Sequence, residues 1–213
     1  MAKRSEKREV PMLLRKILAS DAYLTKLFIN TMDNFMPFRQ VKVHYKMLEV
    51  SCHGVPWIAS WLAFVWLLNS SSLYQMQVNF MIGLLLDIVV VALIKALTRR
   101  RRPAFNDDPF AMGPDKFSFP SGHASRSMYV VYFFFNLWPV NWIFRLPMLA
   151  WMVCVCLSRV LLERHYLLDI LAGVFLGFVE GFFIGFIYLD HDTCVSLVSW
   201  ISDEKLEGGE YHV

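Results

Sequence analysis

With 213 residues, 56% of them hydrophobic and only 18% charged, and a mean hydropathy of +0.43, the chain suffices for one domain and is too apolar for an ordinary soluble one. A formal net charge of +3 gives a nucleic-acid-binding role no support. Taken in chain order, the first ten residues, MAKRSEKREV, are basic and polar with no apolar core behind them, so no cleaved signal peptide is expected. From there to Gly54, Leu, Ile and Phe alternate with Arg15, Lys16, Lys26, Lys42 and Lys46. Residues 1–54 therefore read as a basic amphipathic region, either helices lying on a membrane surface or a soluble cap. Five apolar runs follow, near Val55–Leu73, Val78–Leu97, Ala124–Trp138, Leu146–Leu157 and Leu167–Leu189. A span needs ~20 apolar residues, which secures the second and fifth, whereas Pro139 and Pro147 flank the shorter third and fourth. The expected architecture is an all-α, multi-pass transmembrane bundle of about five spans over residues 55–189. A mostly polar tail, 190–213, carries one apolar stretch, VSLVSWI.

Three polar blocks stand at the ends of these runs. They are Lys95 to Arg102-Pro103, then Pro120-Ser121-Gly122-His123, then Ser158-Arg159 with His165 and Asp169. The second run ends at the first block and the third begins at the second block. The fourth ends at Ser158-Arg159 and the fifth begins at His165. Each hairpin thus returns the chain to the same membrane face, and all three blocks meet there.

Phosphoryl transfer is helped most by positioning and by charge stabilisation. Lys95 and Arg102 lie two helical turns apart and can share a face, while Pro103 marks the helix exit. Arg159 adds a planar fork suited to phosphate. Ser121-Gly122-His123 precedes a helix whose first N–H groups are unsatisfied, and Gly122 permits close backbone approach, which makes an anion seat. His165 and Asp169 are four apart at a helix start, so a carboxylate can fix one ring nitrogen and leave the other as nucleophile. His123 can protonate the leaving oxygen and then activate water. Two histidines in separate blocks suit a two-step displacement through a phosphohistidine. Arg99, Arg100 and Arg101 admit two readings, a topology anchor or extra charge for a diphosphate.

The pattern K-x-x-x-x-x-x-R-P, PSGH and S-R-x-x-x-x-x-H-x-x-x-D resembles the signature of the type 2 phosphatidic acid phosphatase family, whose core is shared with vanadium haloperoxidases. The stretches MLEVSCHGVPW, LIKALTRRRRPAFN, DKFSFPSGHASR and LSRVLLERH are most similar to its polyisoprenoid diphosphate phosphatase subgroup, which includes presqualene diphosphate phosphatase. The resemblance implies His165 as nucleophile, Asp169 as its orienting carboxylate and His123 as acid and base. It implies Lys95, Arg102, Ser121, Gly122 and Arg159 as phosphate ligands, with no metal and no cofactor. The implied substrate is a lipid phosphate or diphosphate such as a farnesyl, geranylgeranyl or presqualene diphosphate, met in the endoplasmic reticulum or nuclear envelope. The alternatives are a broader phosphatase for phosphatidic acid or sphingoid phosphates, and a silent membrane scaffold. The positive-inside rule puts the motif face in the cytosol, but many family members face outward and phosphate-binding cations are compromised as topology markers.

Weaker signals remain. Gly173, Gly177, Gly181 and Gly185 recur at steps of four and permit close helix packing, within the chain or in a homo-oligomer. Asp87 and Glu180 fall inside spans, where a charge faces protein or water; a proton relay is one reading, and Asp87, two turns before Lys95, reads rather as structural. Asp190, His191, Asp192 and Cys194 read as a solvated loop rather than a metal cluster. Cys154 and Cys156 lie in an apolar run and read as small hydrophobes.

Overall fold

The computed structural model describes residues 11–35, 42–104 and 113–202; the basic N-terminal ten residues and the tail from 203 onward lie outside the described residues. What is described is helical, and a lone bridge between Arg101 and Phe117 is the one β-type pairing among these residues. Two amphipathic helices come first, α1 (Met12–Phe35) and α2 (Lys42–Ser51). The apolar segments follow as α3 (Gly54–Leu67), α4 (Ser71–Thr98), α5 (Gly122–Tyr132), α6 (Trp142–Leu161) and α7 (Leu167–Phe186). A terminal helix, α8 (His191–Ser202), closes the described chain.

All five expected apolar segments are helices, with altered ends. Three of them, α4, α6 and α7, are long and apolar enough to cross a bilayer alone. A fourth span exists if the pair His44–Ser51 and Gly54–Leu67, bent by 59°, crosses as one unit. The first run was expected to reach Leu73, but α3 stops at Leu67 because Asn69, Ser70 and Ser71 offer the backbone side-chain alternatives. Tyr74 donates to Asn69 there, and Gln77 donates to the Leu68 carbonyl. α5 continues as a π turn, Phe133–Leu137, before Pro139 ends it. α6 is longer than expected because Asn141 caps it at Ile143 N, and Pro147 is accommodated inside. His191, Asp192 and Cys194, expected in a loop, open the helix α8: Asp190 accepts from Thr193 N at 2.7 Å and caps it.

Packing places the motif ends. Phe80 of α4 stacks on Trp61 of α3 at 4.1 Å and meets Phe133 edge-on at 5.0 Å. Tyr129 of α5 donates to the Phe80 carbonyl at 3.2 Å, which ties α4 to α5. The glycine stripe of α7 faces α5 of the same chain: a Cβ at Gly177 would overlap the Ser125 carbonyl, and one at Gly181 would overlap Tyr132. The stripe is thus spent inside the molecule and is not an open face for a second copy. Gly177→Leu is expected to push α7 off α5 and abolish turnover without changing oligomer size; unchanged turnover in detergent would contradict this packing.

Candidate active site

The C-terminal ends of α4 and α6 and the N-terminal ends of α5 and α7 converge at one end of the bundle. They enclose a cavity of about 250 Å3 lined by Lys95, Arg102, Gly122, His123, Arg159 and His165, with Val55, Ile88 and Val91 as an apolar wall. Six of the eight expected site residues therefore meet around one space. Ser121 and Asp169 stand behind it. Ser121 caps α5 by accepting from Ala124 N at 3.4 Å, and its own N–H donates to the Asp169 carbonyl at 3.0 Å. It joins α5 to α7 rather than lining the seat.

Each cation is held by an acceptor elsewhere in the chain. Lys95, in the last turn of α4 and 3% exposed, binds Asp115 Oδ1 at 2.5 Å. Arg102 donates to the Asp115 carbonyl at 2.6 Å. Arg159, buried at the end of α6, pairs with Glu49 Oε1 of α2 at 2.8 Å. Asp115 and Glu49 were not legible as site residues, since each lies far in sequence from the cation it meets. Burial alone would raise the Asp115 carboxyl, but the Lys95 ammonium and then Arg102 outweigh it and hold it below the ordinary carboxylate range.

His165 sits in the short connection before α7, 1% exposed. Its Nδ1 lies 2.7 Å from the Ser118 carbonyl and 3.8 Å from Asp169 Oδ2. A carbonyl only accepts, so Nδ1 carries the hydrogen and Nε2 keeps its lone pair. The expected direct bond from Asp169 to His165 is therefore replaced by a backbone carbonyl. Asp169 instead accepts from Tyr166 N at 2.9 Å, closing a capping box at the start of α7, and from Arg100 at 2.7 Å. Arg100, read from sequence only as a member of an arginine run, joins Asp115 and Glu49 among the supporting residues that the sequence did not single out. Arg99 and Arg101 do not line the cavity, and neither does Arg100, which removes them from the phosphate seat.

His123 Nε2 lies 3.0 Å from the Glu49 carbonyl, which leaves Nδ1 as the nitrogen that can take up and release a proton. Cys52 donates from its thiol to the His123 carbonyl at 3.3 Å. Burial first, then the charges of Arg102, Arg159 and Lys95, hold the His165 imidazole well below its ordinary value. Only neutral His165 has a nucleophilic lone pair, so a lowered value keeps it competent as pH falls. The acid limb of kcat/KM, corrected for substrate ionisation, is expected well below the ordinary histidine value of about 6.5. A limb at or above that value would contradict the site's electrostatics.

The sequence profile of the PAP2 superfamily matches residues 76–191. A probable lipid phosphate phosphatase beta of Arabidopsis thaliana is 36% identical, with 54% of this chain and 67% of the relative covered. Among solved structures, the fold is similar to a transmembrane PAP2 type phosphatidylglycerolphosphate phosphatase of Bacillus subtilis. That match has a TM-score of 0.59 and 21% identity, and covers 81% of this chain and 86% of the other. It is also similar to LpxE of Aquifex aeolicus, with a TM-score of 0.56, 16% identity, and 76% and 94% covered.

Proposed function

Because the chain belongs to the PAP2 superfamily and is a lipid phosphatase of that type, we propose that it removes phosphate from polyisoprenoid diphosphates through a phosphohistidine on His165. The observation that carries this reading is the cavity itself: His53, His123 and His165 and the cations Lys95, Arg102, Arg126 and Arg159 surround a space with one apolar wall of Val55, Ile88 and Val91. A lipid phosphate matches both halves, its head among Lys95, Arg102 and Arg159, its first carbons along Val55, Ile88 and Val91.

The phosphoryl group takes over Lys95 from Asp115, whose side chain is 48% exposed and can turn into water. Lys95, Arg102 and Arg159 then balance the charge on the equatorial oxygens, while Gly122 at the start of α5 lets the backbone N–H groups approach. His165 Nε2 attacks phosphorus, and the bond from phosphorus to the leaving oxygen breaks. The Ser118 carbonyl, holding Nδ1–H, supports the positive charge that develops on the ring. His123, protonated in the presence of the phosphate dianion, gives its proton to the leaving oxygen. It then takes a proton from water, which attacks the phosphohistidine, releases inorganic phosphate and regenerates His165. Asp169 acts at one remove, by fixing the start of α7.

The diphosphate preference rests on the sequence resemblance of the four stretches around the site. The reading as a phosphatidic acid or sphingoid phosphate phosphatase is favoured by one structural fact, that Arg99, Arg100 and Arg101 lie outside the cavity. A silent scaffold is disfavoured, since every acid, base and cation is in place. Residence in the endoplasmic reticulum or nuclear envelope, with α1 and α2 lying at the membrane surface, belongs to the same reading. The test is phosphate release by the detergent-solubilised protein, with EDTA present, from farnesyl diphosphate, phosphatidic acid and a sphingoid phosphate. Fastest turnover of farnesyl diphosphate is expected; faster turnover of phosphatidic acid would overturn the diphosphate assignment.

A further inference from the structure

A helix on a protein surface ordinarily turns its apolar side chains inward. α1 does this only in part. Leu13, Leu24 and Leu27 are half or more exposed, while Asp21 and Thr25 are among its most buried side chains, 4% and 2% exposed. Both point at the start of α7. Thr25 Oγ1 accepts from Leu167 N at 3.1 Å, and Asp21 Oδ1 accepts from Leu168 N at 3.0 Å. These N–H groups belong to the first turn of α7, where no carbonyl of the same helix can reach them. A helix from elsewhere in the chain supplies their acceptors.

The second oxygen of Asp21 completes a chain of charge. Asp21 Oδ2 binds Arg100 Nη2 at 2.6 Å, and Arg100 Nη1 binds Asp169 Oδ1 at 2.7 Å. The guanidinium also lies over the Tyr166 ring, 4.1 Å from its centre. Arg100 therefore bridges two carboxylates, one on α1 and one on the helix that follows His165. His165 is separated from Leu167 by one residue, and Asp169 Oδ2 in turn holds Tyr166 N. Three consecutive backbone N–H groups after the nucleophile, those of Tyr166, Leu167 and Leu168, are fixed by Asp169, Thr25 and Asp21.

We infer that Asp21 is a positioning residue for the phosphoryl transfer, setting the position of His165 through the first turn of α7 and through Arg100 and Asp169. This rests on the reading of His165 as the nucleophile. Asp21 touches neither the cavity nor any of the three phosphate-binding cations. Its loss should therefore misplace the attacking nitrogen while sparing the phosphate seat, and a displacement on the order of 1 Å costs about 100-fold in rate. The neighbouring ion pair matters too: with Asp21 neutral, Arg100 is left with Asp169 alone and can pull that carboxylate off Tyr166 N.

The experiment compares Asp21→Asn, Asp21→Glu, Thr25→Val and Lys26→Gln in the full-length protein in detergent. Lys26 is exposed on the same helix and controls for handling. The substrate is whichever of farnesyl diphosphate and phosphatidic acid the wild type hydrolyses above a His165→Ala blank, and rates are normalised to folded protein. The expected result for Asp21→Asn is a fall in kcat of tenfold or more with KM within threefold. Thr25→Val should fall less in the same sense, Asp21→Glu should recover most of the rate, and Lys26→Gln should match the wild type. A wild-type kcat in folded Asp21→Asn, or a raised KM at unchanged kcat, overturns the inference and leaves the phosphatase reading standing. If Asp21→Asn does not fold, Thr25→Val decides: wild-type kcat in that variant also overturns it. A wild type no faster than the blank overturns both.

Discussion

Replacing His165 with alanine is expected to lower phosphate release by about four orders of magnitude or more. The side chain is buried, its Nδ1 is held by the Ser118 carbonyl, and its Nε2 is left to attack. Alanine removes the atom to which phosphorus is transferred, and losing a nucleophile costs far more than losing a supporting group. Binding should survive, because Lys95, Arg102 and Arg159 come from other parts of the chain. The expected signature is an inactive, folded protein that still binds vanadate or inorganic phosphate, measured by competition. Phosphate release at the wild-type rate would contradict the assignment. His123→Ala is expected to behave differently, retaining the nucleophile and losing proton transfer, so that turnover slows by about 100- to 10,000-fold.

The second large effect is on stability. Arg126, three residues after His123, pairs with Asp87 at 2.7 Å and donates to the Cys52 carbonyl at 2.9 Å. Asp87 is fully buried within α4, and Ser125 donates to the equally enclosed Glu180 at 3.2 Å. A carboxylate within a membrane span needs a partner, and Arg126 is the cation the fold provides. Arg126→Leu is expected to cost about 3–5 kcal/mol, since removing one member of a buried pair strands the other. In thermal denaturation in detergent this corresponds to a loss of roughly 10 °C in Tm. Replacing both Asp87 and Arg126 by leucine should recover much of that loss, because two apolar side chains leave no stranded charge. A single variant that melts with the wild type would show that Asp87 is stabilised by something other than this pair.

The contrast between Asp169 and Arg126 shows what the sequence made legible. Span order, and with it the meeting of three motif blocks on one face, follows from the lengths of apolar runs, because a bilayer imposes a minimum length on each helix. The spacing of His165 and Asp169 placed Asp169 in the first turn of α7, but His165 lies two residues before the helix, so the two do not share a helical face as expected. Nor did the spacing reveal that a backbone carbonyl 47 residues away, that of Ser118, would take the ring hydrogen. Backbone carbonyls carry no residue signature, so such a partner is visible only in three dimensions. The same holds for Glu49 on Arg159 and Asp115 on Lys95, whose separations are set by how α2 and the turn Gly113–Lys116 fold back over the site. Arg100 was hidden for another reason: inside four consecutive arginines, only geometry distinguishes the one that binds Asp21 and Asp169 from its neighbours. Asp87 and Glu180 were legible as charges inside spans that must face protein or water, but their partners were not.

The division of labour between the two histidines is tested most directly by trapping the intermediate. The protein is mixed with a lipid diphosphate carrying radiolabelled terminal phosphate and quenched with base, under which a phosphohistidine survives. The expected result is covalent label that acid releases, that accumulates in His123→Ala as water attack slows, and that is absent from His165→Ala. Label retained in His165→Ala, or none in any variant that turns substrate over, would contradict a reaction through His165.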